Sequence, residues 1–370
     1  MNSRPSAEFN DSWRRHKSRA FDLNTNSSAR RTLTFSLWGR LVNVYANANL
    51  SIYSAQRCNA SCPFCVEELR PASRGASLQS QKHITSDDEA YFDNLEKCLD
   101  AMLPLRQTLS ITGGEPSKDP RLPQILECFA GYPSKRKTLT TNGSGLLDSR
   151  NGRRVIEHIA EANLNHLNIS IAHPDRSTNA SLMRLGSALS SEQLRTVVRV
   201  AHQSAARVRL SCVLLQNAVN SLEGIISYLE FARSLGINAV IFRQLMKSDP
   251  RHHTFNSVVS FSDRNRVLLE PILDQVSLRS GFEFVRQIIG YYYYVEVWRH
   301  GDVAVVFEEA DLGHLEDVKR SDPQTIHELV FHPNGTLAST WQPWDGILGP
   351  PAAIKKAASI EATVPLHISQ

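Results

Sequence analysis

The chain has 370 residues, 41% of them hydrophobic, enough apolar content to bury an α/β barrel of about 200–250 residues with additions. No run approaches the roughly 18 apolar residues of a membrane-spanning helix. The N-terminus also lacks the apolar core of a secretory signal, so the expected location is cytoplasmic, without membrane partners, although an Arg- and Ser-rich start is also compatible with organelle targeting.

The net charge of +4 is not spread evenly. Residues 1–45 hold Arg4, Arg14, Arg15, Lys17, Arg19, Arg30, Arg31 and Arg40 against Glu8, Asp11 and Asp22, so this stretch, at +5, carries the whole excess. It reads as a basic, solvated N-terminal arm, and a nucleic-acid partner is not expected because no aromatic-interleaved RNA-binding motif accompanies the charge.

From residue 46 short β-like runs alternate with helical stretches, which argues for βα units and a parallel sheet. Strands are expected at 49–55, 108–111, 137–141, 166–171, 207–215 and 239–245. Helices are expected near 87–103, 120–129, 153–163, 192–204 and 222–235, the last closed by Gly236. The fold class is therefore α/β: a partial, open (β/α)6 TIM-like barrel over 46–246, with a C-terminal α+β extension over 247–370. In such barrels chemistry sits at the C-terminal ends of the strands.

Just after the first strand comes Cys58-Asn-Ala-Ser-Cys62-Pro-Phe-Cys65. Three close cysteines with no fourth following can ligate three irons of a four-iron cluster and leave one iron open. A closed zinc site or a disulfide fits poorly, because Cys98, Cys128 and Cys212 are isolated. The second strand runs into Gly113-Gly114-Glu115-Pro116, where glycines let backbone approach a ligand and Glu115 supplies a negative partner for a cationic amine. The third ends in Thr140-Thr141-Asn142-Gly143 and the fourth carries Ser170. At the end of the sixth, Arg243 can recognise carboxylate or phosphate bidentately or form a structural ion pair. Gln244 follows it as a second substrate candidate.

The extension reads as a polar linker, a helix around 263–279 and two hairpin-like units that cover the barrel opening and shape the substrate pocket. The first spans 288–307 around Arg299-His300-Gly301-Asp302 and includes Tyr291–Tyr294; Glu308, Glu309 and Asp311 follow it. Any one of these residues reads as cross-strand packing or a solvated acidic end, while some of the set are expected to line the pocket. The second spans 328–340 around Asn334-Gly335, a type I′ turn signal.

The cysteine spacing, with aromatic Phe64 before the third cysteine, resembles the cluster loop of radical S-adenosylmethionine (SAM) enzymes. The resemblance implies a [4Fe–4S] cluster on Cys58, Cys62 and Cys65 whose open iron chelates SAM. In that family an electron from the cluster cleaves SAM to a 5′-deoxyadenosyl radical, which removes hydrogen from the substrate. Gly113, Gly114 and Glu115 resemble the family's GGE motif, which binds the SAM amino group, and Asn142 and Ser170 stand where ribose and methionine are often contacted. Over roughly residues 48–246 the pattern is similar to the molybdenum-cofactor cyclase branch. It departs at Ala172-His173, where an aspartate is expected, at Gln244, where a glutamate is usual, and in lacking the C-terminal cysteine triad. The resemblance thus implies SAM chemistry on a small molecule in natural-product, nucleotide or cofactor biosynthesis, fed by an external donor such as flavodoxin or ferredoxin, and not the cyclase reaction. Two alternatives stand beside it: a radical enzyme modifying a peptide or RNA, and an iron–sulfur sensor, which would have no need of Gly113-Gly114-Glu115 at a strand end.

Overall fold

The computed structural model describes residues 32–54, 57–69, 87–204, 206–249, 251, 256–290 and 292–350. Residues 1–31 of the basic arm, Ala55 and Tyr291 lie outside these. The rest of the stretch read as an arm is a hairpin, β1 (Thr32–Leu37) and β2 (Arg40–Tyr45). Its two-residue turn puts both Trp38 (φ 47°) and Gly39 (φ 80°) at positive φ, the geometry that matches strand twist. The ends of the two strands anchor it: Leu37, Val44 and Tyr45 are buried.

The six expected barrel strands are present as β3 (Leu50–Ser54), β4 (Thr108–Gly113), β5 (Arg136–Thr141), β8 (His166–Ser170), β9 (Arg207–Val213) and β10 (Ala239–Arg243). The labels β6 (Ser149–Arg150) and β7 (Arg153–Arg154) belong to a small separate pair. Each barrel strand is parallel to the next. The connecting helices are α1 (Asp88–Met102), α2 (Leu122–Ala130), α3 (Val155–Glu161), α4 (Arg176–Met183), α5 (Ser191–Ala201) and α6 (Leu222–Ser234). Their starts follow capping chemistry: Asp87 accepts from the Ala90 amide, and Ser190 and Gln193 form a reciprocal capping box at α5. Gly236 (φ 77°) closes α6 as expected.

Period-two alternation gives the barrel two different faces. Leu50, Ile52, Leu109, Ile111, Leu139, Leu167, Ile169, Leu210 and Phe242 belong to the continuous buried core of the molecule, each contributing about 1.5–3 kcal/mol by burial. The alternate positions are polar: Ser51, Ser110, Thr140, Asn168, Ser170 and Ser211.

The extension enters the sheet itself. Strands β11 (Phe282–Ile289), β12 (Tyr293–His300) and β13 (Val303–Ala310) form an antiparallel set whose last member joins β10 in parallel. Beyond β14 (Thr325–Ile326), which pairs with β2, β15 (Leu329–Phe331) joins β3 in parallel and leads to β16 (Leu337–Ala338) and β17 (Ile347–Gly349). The extension therefore lengthens the sheet at both edges, giving eight parallel strands in a row, and the sheet ends on β11 and β17 instead of closing.

Two local expectations are corrected. The helix near 263–279 is two helices, α7 (Ser257–Asn265) and α8 (Leu269–Leu278), because Pro271 cannot donate or fit inside a continuous helix and is tolerated in the first turn of a new one. The Asn334-Gly335 turn is not type I′: Gly335 has φ 77° but Asn334 does not take positive φ, and the Gly335 amide donates to His332 O (2.9 Å). Pro333 fixes a type I turn, with Gly335 as the bulge residue.

Candidate active site

The strand ends open into one cavity of about 380 Å³. Its wall brings together Cys58, Cys62, Phe64, Cys65, Gly113, Gly114, Glu115, Asn142, Ser170, Arg243 and Gln244, every candidate residue named from sequence. The cysteine loop is strapped to the C-terminal end of α4: the Ser61 amide donates to Met183 O (3.3 Å) and the Cys62 thiol contacts the same carbonyl at 3.4 Å. Phe64 packs with Cys58 and Cys62 against Ala60, Ala172, Met183 and Leu185, and its ring lies 6.3 Å from that of Phe261 in α7.

Glu115 is 1% exposed. Its Oε1 accepts from the Ser117 amide (2.9 Å), the Ser117 hydroxyl (2.6 Å) and the Thr141 hydroxyl, while Oε2 accepts from the Asn142 amide (2.7 Å). Burial raises its pKa and these donors oppose the shift. Glu115 is thus a clamp between the ends of β4 and β5, and Oε2, with one protein donor, keeps accepting capacity on the cavity side. Gly113 also serves the neighbouring strand: at φ 116° a Cβ would lie 2.7 Å from the Ser54 amide nitrogen and 3.0 Å from the Tyr53 ring.

Asn142 ties the cysteine loop to β5. Its Nδ2 donates to Asn59 Oδ1 (3.0 Å) and lies 3.8 Å from Cys58 Sγ, and its Oδ1 accepts from the Ser144 amide (2.9 Å). Ser144 and Asn59 bond each other in turn, with Asn59 Nδ2 donating to Ser144 Oγ at 3.1 Å.

At the far wall Arg243 Nη1 donates to Ser211 Oγ (3.2 Å) and its Nε lies 3.4 Å from Glu308 Oε2. Glu308, one of the set from which pocket residues are expected, lines the cavity because β13 pairs in parallel with β10, setting it opposite Arg243. Gln244 Oε1 accepts from the Leu269 amide (2.8 Å) and so caps α8 while its backbone borders the cavity. Sequence reasoning missed Ser117, Asn59, Ser144 and Ser211. The last three meet partners distant in the chain, whereas Ser117 bonds Glu115 two residues away, where the carboxylate caps the turn that Pro116 opens.

The thiols of Cys58, Cys62 and Cys65 are unbridged and half-buried. Burial raises the Cys62 pKa, with the Cys65 and Cys58 charges adding to it; burial likewise raises that of Cys58. Three thiolates here therefore need a cationic partner. Among the described residues no three ligating side chains converge on a single metal ion. A cluster asks for something else, one sulfur to each of three irons, and the three-thiol donor set fits it.

No curated protein matches the chain. Residues 52–217, from β3 to just beyond β9, match the family model described as Radical SAM superfamily. Among solved structures, SuiB of Streptococcus suis superposes at a TM-score of 0.45 with 15% identity over 80% of this chain and 61% of that one. Its complex with the precursor peptide SuiA gives a TM-score of 0.39 and 18% identity over 55% and 40%. Coproporphyrinogen III oxidase (HemN) of Escherichia coli gives 0.39 and 11% over 68% and 67%. The chain thus spans about 40–61% of the length of SuiB in these superpositions. The family match carries more weight than these loose superpositions: residues 52–217 form a domain similar to the radical SAM superfamily, whose members use a [4Fe–4S] cluster and SAM.

Proposed function

We propose that the protein cleaves SAM reductively and abstracts hydrogen from a small-molecule substrate. The observation that supports this reading is the strand-end cavity lined together by the three thiols, the Gly113-Gly114-Glu115 turn, Asn142, Ser170 and Arg243. The bound cluster and SAM supply the electron and the 5′-deoxyadenosyl radical.

The chain's own residues then have distinct tasks. Cys58, Cys62 and Cys65 hold the cluster and leave one iron for SAM. Oε2 of Glu115 and the backbone of Gly114 receive the SAM amine, while Asn142 and Ser170 orient its ribose and methionine parts. Phe64, Ala172, Met183 and Met246 make an apolar wall that excludes water from a reactive radical. Arg243, with Gln244 behind it, faces the substrate.

Anaerobic reconstitution followed by dithionite reduction with SAM tests the reading. The expected result is 5′-deoxyadenosine formation dependent on all three cysteines. A protein that takes up the cluster yet leaves SAM intact would instead be a sensor.

A further inference from the structure

Along β9 the inward-facing residues are Arg207, Arg209, Ser211 and Val213, and the last two line the cavity. Successive inward positions lie two residues apart, so Arg209 stands one step beneath Ser211 and Arg207 one step lower, toward the N-terminal end of the barrel. On β8 the register sets Asn168 beside Arg209, and Arg209 Nε donates to Asn168 Oδ1 (2.8 Å). Arg243 reaches Ser211 from the cavity side. The two guanidiniums thus flank Ser211 from below and above. Ile241 pairs with Ser211, so the next inward position on β10 is Ala239, itself paired with Ala304. Only methyl side chains face Arg209 from β10 and β13 at this depth, and the cavity lining itself stops one step above, at Ser211.

The charge here is not balanced. Arg136, Arg207, Arg209 and Arg243 occupy inward positions on β5, β9 and β10 against one carboxylate, Glu308, on β13. Among the described residues, the ion pair found for these four is Arg243 Nε to Glu308 Oε2, and that buried Nε makes no hydrogen bond. Burial lowers the pKa of Arg209 to about 10, with Arg243, Arg136 and Arg207 pushing the same way and Glu308 opposing them. His166 at the base is held to about 4 by burial and by Arg209, Arg136 and Arg207, so it stays neutral near pH 7. Arg136 and Arg207 are exposed at the N-terminal rim, whereas Arg209 and Arg243 are partly buried, and two partly desolvated guanidiniums beside one carboxylate favour a ligand that supplies another anion.

We propose that the substrate is an anion whose carboxylate or phosphate group enters the lumen and is held between Arg209 and Arg243. This rests on the reading of the cavity as the substrate site. It adds a residue, Arg209, that lies below the cavity wall, and it fixes the substrate's charge.

Calorimetric titration of the cluster-loaded, full-length protein with inorganic phosphate and, separately, with malonate tests the proposal. At least one probe should bind one-to-one, and Arg209→Gln should weaken it about tenfold or more, the loss of one charge-assisted hydrogen bond. Arg209→Lys should recover part of that loss by restoring charge. Arg243→Gln gives a second route should Arg209→Gln fail to fold, with a loss of similar size. Arg153→Gln, a surface cation paired with Glu161, should leave binding at the wild-type level. The tighter probe separates phosphate from carboxylate. Failure of both probes to bind at millimolar concentration overturns the proposal, as does equal binding by wild type, Arg209→Gln and Arg243→Gln. An equally large loss of SAM affinity in Arg209→Gln overturns it too, because the guanidiniums would then serve the SAM carboxylate. SAM cleavage by the wild type is read in a separate assay, so the two proposals fail separately.

Discussion

Cys58, Cys62 and Cys65 sit half-buried in the cavity wall, whereas Cys98 and Cys212 are fully buried in the core. Reconstituted protein should hold about four irons and four sulfides. Ala at any of the first three positions should abolish the cluster by iron assay and visible absorption, while Ala at Cys98, Cys128 or Cys212 should leave iron content unchanged. Glu115 has a double consequence. Glu115→Ala should weaken SAM binding by about 1.5–3 kcal/mol and strand buried donors, lowering stability by at least about 1–3 kcal/mol. Iron near the wild-type level with a lowered Tm is the expected pattern; unchanged SAM affinity would leave Glu115 as a clamp between strands only. The cysteines and Glu115 were legible in sequence because each motif is contiguous. The clamp was not, because the Thr141 hydroxyl and the Asn142 amide reach Glu115 only once β4 and β5 lie side by side. His166 gives a pH test: its folded pKa of about 4 lies below the ordinary 6.5. The unfolded chain therefore binds more protons between these values, and stability falls as pH drops through that window. Tm measured against pH should flatten there in His166→Gln.

Among the elements, the junction of β3 with β4 is sensitive to substitution. Gly113→Ala must place a Cβ against the Ser54 amide at a φ that side chains avoid, a strain of about 1–3 kcal/mol. The variant should lose stability, and SAM affinity with it, since β3 leads directly into the cysteine loop; a Tm equal to wild type would show that the strand ends can part freely. All six barrel strands were legible because their outward faces repeat with period two between capped helices. Helix α4 was not, since Arg-Ser-Thr-Asn-Ala-Ser-Leu-Met carries almost no apolar period and depends on Asp175 accepting from the Thr178 amide and hydroxyl. The parallel joining of β13 to β10 escaped for a different reason: hairpin signals are local, whereas a strand's second neighbour is chosen by the assembled sheet.

For the whole molecule, the cavity residues all follow residue 57, so removing residues 1–31 should leave SAM cleavage near the full-length rate. Removal through residue 40 should be costlier, because Leu37 is buried, Arg40 Nη2 donates to Leu348 O (2.7 Å), and the Trp38 ring lies against Gly349. A lowered Tm for the longer truncation beside an unchanged one for the shorter would confirm that the hairpin is part of the fold; equal Tm values would return it to the solvated arm. An open sheet also has two rims to protect, which a closed cylinder does not. The rim at β17 lies under the Trp38 hairpin. The rim at β11 presents Val285 and Ile288 at 43% and 39% exposure beside backbone groups free to pair with another chain. Handling at high concentration should therefore be limited by edge-to-edge adhesion along β11, and Ile288→Lys should suppress the concentration-dependent rise in light scattering without lowering Tm.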